Sequence, residues 1–161
     1  MAKKLFMGLL IALMLTAAVS ADPALNGVWL TVEEGEFRFE NGNWEIWGGG
    51  IPMLKGTFST EDGMLAMETT HWHGYVLGDE IGGDIEIEPI WHSRSELLQI
   101  FLYYSPYDDD VMTDPMLLEE LNYMLDFLFA PHDGTYSVSG DTLTLTWTWL
   151  DLMETIILTR R

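Results

Sequence analysis

The sequence predicts an all-β fold, either a barrel or a sandwich, with one amphipathic helix. From Leu25 onward most of the chain consists of short runs in which apolar and polar residues alternate, and Gly, Asn and Asp separate these runs. This pattern is typical of antiparallel strands joined by tight turns, and it repeats about eight or nine times. The segment from residue 115 to residue 129 has a helical period instead.

The first strands are marked by aromatic residues and by a hairpin signal. Phe37 and Phe39 alternate with charged residues, Asn41-Gly42 follows, and Trp44 and Ile46 then alternate with polar residues. An Asn-Gly pair between two alternating runs favours a two-residue hairpin, because both residues tolerate a positive φ. The segment therefore predicts two antiparallel strands joined at Asn41-Gly42.

The run from Leu65 to Tyr75 predicts a strand whose inner face changes from apolar to polar. If Leu65 and Met67 face inward, the period of two also sends every second later side chain inward, namely Thr69, His71, His73 and Tyr75. A small-molecule pocket has this composition, with apolar walls and a few oriented polar groups.

The two closely spaced histidines of this run have three interpretations. Two imidazoles on one strand face, at His71 and His73, could bind Zn²⁺ with His92, His132 or a carboxylate as a third ligand. They could instead anchor an organic ligand, or simply hydrogen-bond to neighbours or water inside the fold. Because a His-x-His pair is common, the sequence favours the last interpretation and predicts no bound metal.

A further strand is predicted from Glu96 to Tyr104, where Leu98, Ile100 and Leu102 share one apolar face. Arg94 precedes this run. An arginine that faces the interior could bind a carboxylate ligand through a charge-assisted contact. The alternative is that Arg94 pairs with a nearby acidic side chain, which is the more common arrangement in so acidic a chain.

One helix and a final pair of strands complete the predicted fold. Asp114 is a suitable N-cap, Pro115 suits the first helical position, and Pro131 ends the segment. We expect this helix, from about Pro115 to Phe129, to pack on the outside of the sheet or across one open end. After it, apolar side chains alternate with threonines in a strand that is half buried, with one face formed by Leu143, Leu145, Trp147 and Trp149.

Composition excludes several classes of protein. The chain has 161 residues, with 26 Asp and Glu against 7 Lys and Arg, a net charge of −19 and no cysteine. Without cysteine there is no disulfide framework and no thiolate metal site. The negative charge argues against nucleic acid as a partner, because such binding relies on Lys and Arg. The 48% apolar and 12% aromatic content is enough for a folded core.

The N-terminal residues predict a signal peptide. Lys3 and Lys4 precede an apolar run, and small residues lead to Ala21, the expected cleavage position. Residues 1–21 are therefore predicted to be removed, leaving residues 22–161 as one exported domain, periplasmic or secreted and soluble. Removing the two lysines would make the net charge more negative by two.

The two termini of this domain resemble the lipocalin-like (calycin) barrels of small bacterial exported proteins. The resemblance rests on Gly27 and Trp29, which match the Gly-x-Trp of the first strand, and on Arg160 or Arg161 near the end of the last strand. The Gly-Thr-Tyr-Ser-Val-Ser-Gly run from residue 134 is similar to the closing hairpin of such domains. The resemblance implies an up-and-down antiparallel barrel of about eight strands, in which the basic residue packs over Trp29.

The resemblance also implies a function, the non-covalent binding of a small, mostly apolar ligand inside the barrel. The expected ligand-binding residues are Trp44, Met67, His71, His73, Tyr75, Arg94 and Trp147. Enzyme motifs such as a nucleophile elbow, a phosphate loop or a dinucleotide fingerprint are not found, so we expect neither catalysis nor a cofactor. The alternative function is an interaction or inhibitor module that binds a basic protein through the acidic outer surface.

Overall fold

The computed structural model describes residues 21–33, 35–75, 87–104, 115–149 and 152–161. Of the predicted signal peptide only Ala21 is among them, so that prediction lies outside the described residues. No helix within these ranges is long and apolar enough to cross a membrane.

The described residues form nine antiparallel strands and two α-helices. The strands of the first half are β1 (Gly27–Leu30), β2 (Glu36–Glu40), β3 (Asn43–Gly48), β4 (Ile51–Glu61) and β5 (Met64–His73). They are followed by β6 (Trp91–Ser93), α1 (Arg94–Tyr104), α2 (Pro115–Leu128), β7 (His132–Ser139), β8 (Thr142–Trp149) and β9 (Leu152–Arg160).

Eight of the strands close into a barrel. The order around it is β4-β3-β2-β1-β9-β8-β7-β5, and β5 pairs back onto β4. β6 lies outside the ring and pairs with the last residues of β5, where His71 lies opposite Ser93. The predicted all-β barrel is thus confirmed, and closure removes most of the exposed strand edges that an open sheet would have.

Three tight turns lie at one end of the barrel, which we call the hairpin end. They are the turns at Asn41-Gly42, Asp62-Gly63 and Gly140-Asp141. Asn41 and Gly42 have φ values of 49° and 81°, as a hairpin with two left-handed residues requires. The opposite end carries β6, α1 and α2, and we call it the helical end.

Trp29 and Arg160 meet at the hairpin end. The two residues are register partners in the β1–β9 pair, and the guanidinium carbon of Arg160 lies 4.4 Å from the centroid of the Trp29 ring. The indole N–H of Trp29, which is fully buried, donates to the carbonyl of Leu25 over 2.7 Å. Arg160 also donates to the carbonyl of Ala24 over 2.7 Å, so a short 3-10 helix, Pro23–Leu25, is held across this end.

The hydrophobic core lies inside the barrel, and a smaller apolar cluster lies under the helices. The alternation predicted for β8 is present, because Leu143 and Leu145 are buried among the other inward side chains. The second cluster joins Leu97 and Phe101 of α1 to Leu125 of α2 and is packed against Trp72.

The predicted strand from Glu96 to Tyr104 is wrong, since these residues form α1. Leu97 and Phe101 are four residues apart and both buried, which is the helical spacing. Ser93 and Glu96 form a capping box, in which Glu96 accepts from the backbone N–H of Ser93 over 2.7 Å and the Glu96 N–H donates to the Ser93 hydroxyl over 3.4 Å. The second helix, Pro115–Leu128, agrees with the predicted one.

Candidate ligand cavity

A small apolar cavity lies between the barrel core and the end of α2. Its volume is about 100 Å³. Nine side chains line it, drawn from five strands of the barrel, β3, β4, β5, β7 and β8, and from the last turn of α2. They are Trp44, Ile46, Leu54, Met67, Thr69, Trp72, Leu128, His132 and Trp147.

Trp44 lines this cavity from the barrel core and is held by its neighbours. Its ring is 2% exposed, and its indole N–H donates to the carbonyl of Thr57 over 3.0 Å. The ring lies against Gly56 of β4, where a Cβ would be 2.8 Å from the Trp44 indole nitrogen and 1.8 Å from the Glu68 carbonyl oxygen. Only glycine therefore leaves room for Trp44 and for the close approach of β5.

A β-bulge in β5 decides which side chains reach the cavity. Gly56 pairs with Thr69, and the preceding Lys55 pairs with His71, so Thr70 is an extra residue in β5. One extra residue reverses the alternation of every later side chain. Trp72 consequently faces the cavity, opposite Leu54, while His71 lies opposite Lys55 on the outer face.

The prediction that His71, His73 and Tyr75 face the interior is therefore wrong. His73 lies edge-on to Trp91 of β6, with ring centroids 5.2 Å apart, and Tyr75 follows the strand with 53% of its surface exposed. The ammonium of Lys55 lies 4.6 Å from the centroid of the same Trp91 ring. Of the seven predicted ligand-binding residues, Trp44, Met67 and Trp147 line the cavity.

The outward histidines remain mostly neutral near pH 7. Burial lowers the pKa of His71, and the nearby charge of Lys55 lowers it further. Burial also lowers the pKa of His73, with a smaller contribution from His92. Within the described ranges no three His or carboxylate side chains are grouped as a metal ion would require, so the zinc interpretation has no third ligand there.

Arg94 lies away from the cavity and joins the two helices. Its guanidinium pairs with the Asp126 carboxylate of α2 at 2.6 Å and donates to the side-chain oxygen of Asn122 over 3.0 Å. Of the two interpretations of Arg94, pairing with an acidic neighbour is the one that the geometry supports.

The roof of the cavity is the end of α2, which the sequence did not assign to a site. The indole N–H of Trp72 donates to the Leu128 carbonyl over 3.0 Å, so the barrel wall is tied directly to the last turn of the helix. This carbonyl would otherwise be one of the four that a helix end leaves unpaired. Trp72, Leu128 and His132 could not be found from strand periodicity, because the bulge and the helix position depend on tertiary contacts.

Two polar side chains, Thr69 and His132, interrupt the apolar lining. Thr69 is 4% exposed. Burial lowers the pKa of His132, although the neighbouring Asp133 carboxylate opposes the shift, so the imidazole is mostly neutral near pH 7. A neutral imidazole both donates and accepts one hydrogen bond.

The volume of the cavity limits the size of the ligand that it can bind without a change of structure. An apolar cavity of about 150 Å³ can bind benzene, and pockets for drug-sized ligands enclose about 300–1,000 Å³. A wider groove of about 680 Å³ lies on the outside of β3, β4 and β5, but outward side chains such as Asn43, Ser59 and Glu68 line it. The smaller, more apolar cavity is therefore the better candidate for an apolar ligand.

Comparisons of this chain with protein-family models, with curated proteins and with solved structures find no match. A function for this protein must therefore be inferred from the geometry and chemistry of the cavity.

Proposed function

We propose that this protein binds a small, mostly apolar molecule non-covalently in the cavity between the barrel and α2. The observation that carries the proposal is a partly enclosed apolar space flanked by Trp44, Trp72 and Trp147 at the helical end of a closed barrel. Aromatic walls with one or two polar groups are the usual composition of such sites. The resemblance of Gly27, Trp29 and Arg160 to the lipocalin-like pattern supports the same function.

The end of α2 acts in this proposal as a movable roof. The Trp72–Leu128 hydrogen bond and the apolar contacts of Leu125 hold it over the cavity. A ligand of a few heavy atoms fits beneath Leu128, whereas a longer chain requires the helix to shift outward. The helix pair can move outward because elements with few contacts to the core open at low free-energy cost.

Binding is tested with benzene, toluene and laurate as probes of increasing length. Each probe that binds should raise the melting temperature and change tryptophan emission, because three indoles line the cavity. Stabilisation follows from preferential binding to the folded state and reaches about 2.7 kcal/mol at a ligand concentration of 100 times Kd.

Two variants make the test specific. Leu128→Phe fills the cavity and should remove the response to benzene. Arg94→Ala, which removes the Asp126 ion pair at a distance from the cavity, should keep that response. An unchanged melting temperature with all three probes, or an equal response in Leu128→Phe, would contradict the proposal.

A further inference from the structure

Thr69 brings a hydroxyl to the cavity between the barrel and α2. It follows Leu65 and Met67 on the inward face of β5, and only 4% of the residue is exposed. Among the residues that the structure describes, none hydrogen-bonds to its hydroxyl. Every fully buried side-chain nitrogen or oxygen in these ranges does have a partner. The hydroxyl therefore touches open space, and the open space that Thr69 lines is the cavity.

The indole N–H groups around the cavity are already used within the protein. Trp44 and Trp72 donate theirs to backbone carbonyls, over 3.0 Å in both cases. Trp147 donates to the Glu154 carboxylate over 3.4 Å. These walls therefore offer a ligand apolar surface, and the Thr69 hydroxyl is where a polar group of the ligand can be paired. Polar groups that are almost fully buried normally have a partner, which a ligand would supply here.

No lysine or arginine is among the nine side chains that line the cavity. Apart from Lys3 and Lys4, the chain has five such residues, and the structure describes all of them. Each contacts other groups: Arg38 and Arg161 pair with Glu36, Arg94 pairs with Asp126, Arg160 lies over Trp29, and Lys55 lies over Trp91. Burial lowers the pKa of His132, so its imidazole does not supply a full positive charge near pH 7 either.

Two carboxylates act on side chains that line the cavity. Glu154 accepts from Trp147, and the negative charge of Asp133 opposes the lowering of the His132 pKa. A carboxylate ligand would lose its hydration in the cavity, would gain no counter-charge and would be repelled by these groups. A hydroxyl loses less on leaving water. It can also pair with Thr69 in either direction, because each hydroxyl both donates and accepts.

We propose that the cavity binds a neutral ligand with a single hydroxyl, a small alcohol that pairs with Thr69, and rejects the corresponding carboxylate. This inference rests on the proposed function, since it names the class of ligand for the same cavity. Arg94, the residue that could have bound a carboxylate, pairs with Asp126 instead. Laurate should accordingly bind more weakly than an uncharged molecule of the same length.

The test compares four molecules that share one benzene ring with a one-carbon substituent, namely toluene, benzyl alcohol, benzoate and benzylamine. Their Kd values are obtained from the change in tryptophan emission at about pH 7.5, where benzoate is an anion and benzylamine is a cation. We expect benzyl alcohol to bind at least roughly tenfold more tightly than benzoate, because only the carboxylate is a charge without a partner in the cavity. Benzylamine should also bind more weakly than benzyl alcohol.

A threonine-to-valine substitution isolates the hydroxyl of Thr69. Thr69→Val keeps the shape of the side chain and removes the hydroxyl, so it should raise the Kd of benzyl alcohol roughly fivefold and leave the Kd of toluene unchanged. Retained toluene binding shows that the variant is folded and that its cavity is intact. Thr57→Val, at an exposed position on the outer face of β4, is the matched control and should change neither Kd.

The outcomes separate this inference from the proposed function. If toluene binds but Thr69→Val leaves the Kd of benzyl alcohol unchanged, or if benzoate binds as tightly as benzyl alcohol, the inference is wrong and the proposed function stands. Tightest binding of benzylamine would also overturn the inference and would make the cavity a site for organic cations. If none of the four molecules changes the emission, the proposed function is contradicted and the inference with it.

Discussion

Trp29 connects β1 to β9 and to the 3-10 helix at the hairpin end. Its backbone pairs with Arg160 of β9, its ring lies under the Arg160 guanidinium, and its indole N–H donates to the carbonyl of Leu25. A buried indole next to a guanidinium gains both apolar burial and a cation–π contact. Trp47 offers a comparison on the outside of the barrel, where the Arg38 guanidinium lies 3.9 Å from the ring centroid.

Trp29→Ala should lower the free energy of unfolding by roughly 3 kcal/mol, because it leaves a cavity and an unpaired Leu25 carbonyl. Urea unfolding followed by circular dichroism measures the change. Trp47→Ala is the control, since the same truncation on a partly exposed ring should lower stability by only about 1 kcal/mol. Equal losses in the two variants would show that Trp29 does not close the barrel.

At the scale of elements, the sequence predicts a strand or helix correctly when one face of that element packs on a core and the other face does not. The alternation of β8 and the period of α2 could be predicted, because each turns one face toward an apolar cluster, with Leu143 and Leu145 buried in β8 and Leu125 in α2. The nearly continuous apolar run of α1 fits either period, so only the Ser93-x-x-Glu96 capping box distinguishes it from a strand.

The candidate site was harder to predict than the fold, and the bulge in β5 explains why. A strict period of two places His71 and His73 on the same face as Leu65 and Met67, whereas the extra residue in β5 moves both histidines to the outer face. The position of the bulge depends on Gly56, whose close contact with the Glu68 carbonyl is made across two strands. Trp44, Met67 and Trp147 were found because they lie outside the bulged segment.

Gly56→Ala should lower the free energy of unfolding by more than about 2 kcal/mol, since the new methyl group would overlap the backbone carbonyl of Glu68. Gly48→Ala is the matched control. A Cβ there would meet the sulfur of Met53 at 2.8 Å, and a thioether at the end of a flexible side chain can move aside. Urea midpoints of the two variants give the comparison, and equal losses would contradict the close approach of β5 to Gly56.

For the whole molecule, several shifted pKa values act on stability in the same direction. Burial lowers the pKa of His71, His73 and His132 below their ordinary value of 6.5. The unfolded chain therefore binds protons at a higher pH than the folded protein does. Stability from these groups is complete above pH 6.5 and is lost as the pH falls through their folded pKa values. Hydrogen bonds from Arg38 lower the pKa of Glu36, which extends the same trend to lower pH.

We predict that the free energy of unfolding decreases as the pH is lowered from about 7 to about 5.5. The measurement is a series of urea midpoints at about 0.2 M salt, where repulsion among the many exposed carboxylates is screened. His132→Gln should make the dependence shallower, because it removes one of the three contributing imidazoles. A flat profile, or a variant with an unchanged slope, would contradict the buried, neutral state of His132.

The bond between Arg160 and the carbonyl of Ala24 spans 136 residues of sequence, and it sets an order on folding. Contacts between such distant residues form late, because the entropy of closing a long loop must be overcome before they contribute. During synthesis, β1 can pair early with β2, but it stays without its second neighbour until β9 has left the ribosome. Closure of the barrel at the β1–β9 seam therefore waits until β9 is available, so the earlier strands stay in an incompletely closed sheet until then.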